Sequence, residues 1–226
     1  MRGQQLGGDN SMSKKPKNKG SGASPVKALL VQYACPIPYH QVRARFMGNI
    51  ATPDMTASPM QEIQRIWNND LPTFESKSEA EEFFGALIQG LWNSLSSHQK
   101  RTDPFKLGRI ATAPASLEFL NKFSRVRREE LDGFIDGLFG DKEELDLPES
   151  AHKAVGIIGE IRSIFAATEQ LADQQASVET MTETIRHFQQ MTRIAETEIN
   201  VVIQSCKKAR AQALDTLPMD RPATLH

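Results

Sequence analysis

Five histidines, two cysteines and one dense group of carboxylates are the side chains in this sequence with the chemistry for catalysis or metal binding. His40, His98, His152, His187 and His226 are scattered. None stands four residues from another histidine, the helical spacing that brings two imidazoles to one metal. Cys35 lies between Ala34 and Pro36, and Cys206 falls on an apolar helical seam. Both read as small buried groups, not as nucleophiles. Two cysteines make neither a disulfide framework nor a Cys-rich zinc pattern, which fits a reducing, cytoplasmic setting. The carboxylates are Asp132, Asp136, Asp141, Glu143, Glu144 and Asp146. They lack the regular alternation and closing glutamate of a calcium-binding loop. Asp132 and Asp136 share one helix face, yet a solvated face beside a charged turn accounts for them. The sequence has no Walker-type loop, Gly-x-Ser-x-Gly elbow or dinucleotide fingerprint. No catalytic residue, metal ligand or cofactor is assigned.

The basic side chains carry a different chemistry. The formal net charge is -1, but residues 1–53 carry +7 and the remainder -8, with no acid between Asp9 and Asp54. Lys14, Lys15, Lys17 and Lys19 are the candidate contact for an anionic partner, since phosphates need only mobile positive charge. No aromatic residue interleaves them, so base stacking has no support. The alternative is a solubilising tail. Arg125, Arg127 and Arg128 meet Glu129 and Glu130, which reads as local pairing. Lys207, Lys208 and Arg210 suit the C-terminal dipole of a long helix.

The elements that must position these groups are all helical. Residues 1–24 have too little apolar surface to offset ordering entropy and form an expected disordered basic tail, in which Met12 is an alternative start to Met1. One all-α domain is expected over 25–216, followed by a flexible end at 217–226. Ser24-Pro25 resembles a helix start, and the run Ala28–Ala34 fits two helical turns or a strand. A helix is predicted from Tyr39 to Ile50, stopped by Thr52-Pro53, and another from Ser58-Pro59 to Trp67. Ser76 and Glu79 form a capping box opening a helix with Ala80, Phe84, Leu87, Leu91 and Leu95 on its core face, widened by Phe83, Ile88 and Trp92.

A loose connection through Pro104 and Pro114 leads to a short helix around Leu117, Leu120 and Phe123. A glycine-bearing helix then runs from about Ser124 to Phe139. Gly133 and Gly137, four apart, make a smooth strip for structural close packing by another helix. Pro148 opens a helix with Val155, Ile158, Ile161 and Phe165 inward, flanked by Ala151, Ile157 and Ile164. From Ser177 a last long helix carries a seam with heptad spacing from Val178 to Ala213. That seam suits packing within the chain, and any uncovered part would favour a homodimer. Ile88-Gln-Gly-Leu-Trp92 and Ile135-Asp-Gly-Leu-Phe139 share an order compatible with two similarly buried helices. No run reaches membrane-spanning length.

Residues from about Val42 to Phe165 resemble the YecA/YgfB-like family of bacterial all-helical proteins. The resemblance rests on the stop at Thr52-Pro53, Ser58-Pro59 leading to Ile66-Trp67, and the link Asp70-Leu-Pro-Thr-Phe-Glu75. It also includes the acidic helix with Glu79, Glu81 and Glu82, and the segment Gly133-Phe-Ile-Asp-Gly-Leu138. Many members end in a Cys-rich zinc segment of the SEC-C type, which this sequence lacks. An aromatic expected before Trp67 is replaced by polar residues. The resemblance implies an all-helical body and no catalytic residues to carry over. The expected function is a non-catalytic cytoplasmic binding or regulatory protein acting through protein contacts. A nucleic-acid-associated accessory factor using the basic arm is the alternative, and a metal-dependent hydrolase ranks third.

Overall fold

The computed structural model describes residues 23–170 and 178–216. Among them it has seven helices and no strand. They are α1 (Ala23–Gln32), α2 (Tyr39–Ala51), α3 (Pro59–Ile66), α4 (77–99), α5 (Leu117–Phe139), α6 (Glu149–Gln170) and α7 (Val178–Thr216). Lys14, Lys15, Lys17 and Lys19, residues 1–22 of the tail expected at 1–24, and the tail expected at 217–226 lie outside the described residues. α1 begins at Ala23, two residues earlier than a cap at Ser24 followed by Pro25 would place it, so the helix takes in the last residues assigned to the tail. The run Ala28–Ala34, which fitted helix or strand, is helical as far as Gln32 and then turns, with Ala34 at φ 46°.

The centre of the fold is the pairing of α2 with α5. A Cβ added at Gly137 would lie 1.9 Å from the Arg45 carbonyl oxygen, and one at Gly133 would lie 2.6 Å from that of Gln41. Gly48 meets α5 from the other side, where an added Cβ would lie 2.1 Å from the Phe134 carbonyl oxygen. Three glycines therefore let two backbones touch, where side chains normally hold axes 8–10 Å apart. Phe46 and Met47 of α2 and Leu131, Phe134 and Leu138 of α5 fill the core beside this seam.

Hydrogen bonds at the termini explain several helix boundaries. Ser58 and Ser76 accept from Gln61 N and Glu79 N, each at 3.2 Å. Glu79 reaches back to Glu75 N at 3.1 Å, one residue before the cap, so the capping box is only half formed. Asn68 and Asn69 end the turn after α3 in the left-handed region, φ 53° and 63°, which asparagine tolerates.

α4 differs from the expected stripe. Its buried residues are Phe83, Leu87, Leu91 and Leu95, while Ala80 and Phe84 are half-buried. Steps of four drift about 40° each on a helix of 3.6 residues per turn. The stretch Gly85–Trp92 is π-helical, and its wider turn keeps those residues on one face. A second correction concerns α5. It is one helix of 23 residues capped by Ser116, because Ser124 is buried within it and nothing breaks the backbone there.

α5, α6 and α7 form the other half of the core. Phe123, Phe165 and Phe188, one from each helix, meet with ring centroids 5.3–6.3 Å apart. Ile157 and Ile164, expected as inward flanks of α6, are 38% and 42% exposed. The narrower stripe Ala151, Ala154, Ile158, Ile161, Phe165 suffices to bury that helix. The seam of α7 is buried from Phe188 to Cys206, and Ala213 is exposed. At 1.5 Å per residue this 39-residue helix is about 58 Å long.

Candidate functional site

The connection between α4 and α5 is not loose. It runs extended across α7 as a strap, with the alternate residues Phe105 and Leu107 buried. Its backbone polar groups are satisfied by side chains instead of a sheet. The Asn200 amide accepts from Phe105 N at 2.8 Å and donates to Phe105 O at 2.9 Å. Glu196 accepts from Leu107 N at 3.0 Å, and Glu130 from Gly108 N at 2.6 Å. Buried Glu130 also pairs with Arg127, whose Nε donates to Thr192 at 3.2 Å. Burial raises the Glu130 pKa above its ordinary value against the pull of Arg127 and the Gly108 N–H.

The strap closes one wall of a cleft of about 660 Å³, whose other walls come from α1, α2 and α5. Lys27, His40, Arg43, Lys106, Arg109 and Lys122 line it. Arg43 donates to Lys106 O at 2.8 Å and lies 4.4 Å from the centre of the Phe105 ring. Burial lowers its pKa, countered by Glu130, but a guanidinium remains charged at any ordinary pH. Lys27 stands over the Tyr39 ring at 5.0 Å. His40 meets Glu129 at 2.7 Å, and Lys106 meets Glu196 at 3.2 Å. Lys27, Arg43, Arg109 and Lys122 have no carboxylate partner among the described residues. Lys27, Arg109 and Lys122 are exposed and Arg43 is half-buried, so their charge faces solvent, where an approaching anion can meet it.

The other sequence candidates go to different places. Gly133 and Gly137 belong to the α2–α5 seam. Asp132 accepts from Arg128 at 3.0 Å and Arg162 at 2.6 Å, and Asp141 from Arg65 at 2.7 Å. Glu143, Glu144 and Asp146 are exposed. His98 bonds the Asp103 carbonyl at 3.0 Å, and His152 and His187 are exposed. Burial pushes the Cys206 thiol up to about 11 and raises that of Cys35 as well, so neither is a thiolate near neutral pH. Among the described residues no group of His, Cys, Asp and Glu is placed to hold a metal, and no helix is long and apolar enough to cross a membrane.

Sequence reasoning missed the cleft because its cations come from α1, α2, the strap and α5. Its one trace in the sequence is the acid-free interval from Asp9 to Asp54, which contains Lys27 and Arg43. Comparison with family models, curated proteins and solved structures finds no match to this chain.

Proposed function

We propose that this is a non-catalytic binding or regulatory protein that works by protein–protein contact, with the basic cleft receiving an anionic partner. The observation that carries this reading is the set of cations left without carboxylates in a body whose residues 54–226 total -8. Charges that hold a fold are matched, whereas charges that meet a partner are complementary to it and steer its approach. The resemblance to the YecA/YgfB-like family and a cytoplasmic setting belong to the same reading. A second reading, as a nucleic-acid accessory factor, draws on the upstream cluster Lys14, Lys15, Lys17 and Lys19, because α1 leads from that end of the chain to Lys27 at the cleft.

Calorimetric titration of the intact protein with polyglutamate at low salt tests the cleft. Binding should weaken steeply as salt rises, because exposed charges are screened beyond about 10 Å at 0.1 M. The double reversal Arg109→Glu, Lys122→Glu should abolish it. Undiminished binding by that variant would remove the cleft as the contact.

A further inference from the structure

The positive surface does not stop at the cleft. On the far side of the strap lies a second groove of about 490 Å³, bounded by α7, and Lys106 borders both. Lys100 and Arg101 line this groove, are exposed, and have no carboxylate partner among the described residues. The acids that border the two grooves, Glu130 and Glu196, are already engaged in tethering the strap. A ligand laid across the strap therefore meets cations on both sides and few free carboxylates.

The floors select among anionic ligands. Leu107, Ile110 and Val126 line the cleft, and Pro104 and Val201 line the second groove. Carbon beneath a rim of cations gives little to a phosphate backbone, which needs charge alone. Bases would need aromatic platforms, and among the described residues the rings bordering either groove are Tyr39, already under Lys27, and His40, already engaged by Glu129. An extended peptide presents side chains alternately to floor and rim, so apolar and acidic residues would each find their own surface.

Resting on the binding reading above, we infer that the two grooves form one track, crossing the strap at Lys106, for an acidic peptide segment that also carries apolar side chains. Charge complementarity at the rim and apolar burial on the floor each supply part of the recognition.

Fluorescence anisotropy with the full chain and a labelled peptide alternating Glu and Leu tests the track. Polyglutamate and a single-stranded oligonucleotide of equal charge are the comparison arms. Lys100→Glu with Arg101→Glu alters the second groove alone, and Arg109→Glu with Lys122→Glu alters the cleft alone. All four side chains are exposed, so both variants should keep the fold, which an unchanged helical circular dichroism spectrum checks. The Glu–Leu peptide should bind more tightly than polyglutamate, and each double reversal should weaken it by about tenfold or more. Loss with the cleft variant but not the second-groove variant overturns the track and leaves the cleft reading standing. Insensitivity to both removes both. Equal affinity for polyglutamate overturns the role of the apolar floor. Tighter binding of the oligonucleotide, lost with the same reversals, identifies a nucleic acid as the occupant and overturns the peptide.

Discussion

Arg43 and Arg45 stand two residues apart on α2 and serve two regions of opposite character. Arg45 enters a closed network. It pairs with Glu62, which is 0% exposed, and lies 3.8 Å from Asp136. Glu62 also takes Arg65 at 3.0 Å, and Arg65 takes Asp141 at 2.7 Å. Arg43 turns the other way, into the cleft, where a carbonyl and an aromatic ring replace the carboxylate. The first region uses charge to lock α2, α3 and the end of α5 together. The second leaves charge available. One helix thus separates the charges that specify the fold from those that can recognise something else.

The largest effect should come from breaking the closed network. Arg45→Ala leaves Glu62 buried with a single partner, and opening a buried pair costs about 3–5 kcal/mol. Chemical denaturation measures it, and a loss below that of Arg43→Ala would erase the contrast. Next comes the seam that brings Arg45 into place. Gly137→Leu puts side-chain carbon where the Arg45 carbonyl stands and should destabilise by about 3 kcal/mol, as overpacked cores do. An unchanged melting temperature would mean α2 and α5 do not touch there. Arg43→Ala should be milder, about 1 kcal/mol for one hydrogen bond and a ring contact, with a larger effect on anion binding than on stability.

A pH series sharpens the matched side further. The Lys142 ammonium and the Thr56 N–H hold the Asp54 carboxyl at about 2, below its ordinary 3.8. A lowered folded pKa means the stabilisation is present above about 3.8 and fades as pH falls towards 2. The melting-temperature gap between wild type and Asp54→Asn should therefore close across that window. A gap independent of pH would show that the carboxylate charge contributes nothing.

The matched region was legible in part and the unmatched one hardly at all. Gly133 and Gly137 announce close packing because two glycines share one face of one helix. Gly48, which completes the seam, stands alone on α2 and carries no such spacing. Helix ends at Thr52-Pro53 and Ser58-Pro59 were readable because caps and prolines act locally. On α4 the expected Leu87, Leu91 and Leu95 are buried, but Phe83 holds the core place expected of Ala80 and Phe84, because the π-helical stretch that follows keeps a four-residue step that an α-helical period does not represent. The strap was hidden because its backbone partners, Asn200, Glu196 and Glu130, lie 22 to 95 residues away. The cleft is hidden for the same reason, since charge that is unmatched in space shows no pattern in sequence.

One measurement puts both halves of the contrast on a single axis. Thermal melts of wild type and the Arg109→Glu, Lys122→Glu variant are compared with and without polyglutamate. A ligand that binds only the folded state stabilises it by about 2.7 kcal/mol at a hundred times its Kd. If the cleft cations are unmatched and serve a partner, the variant alone melts at or above the wild-type temperature. Polyglutamate then raises the wild-type melt and leaves that of the variant unmoved. A variant that melts well below wild type without ligand, or that polyglutamate stabilises equally, would contradict the claim that these charges are held for a partner.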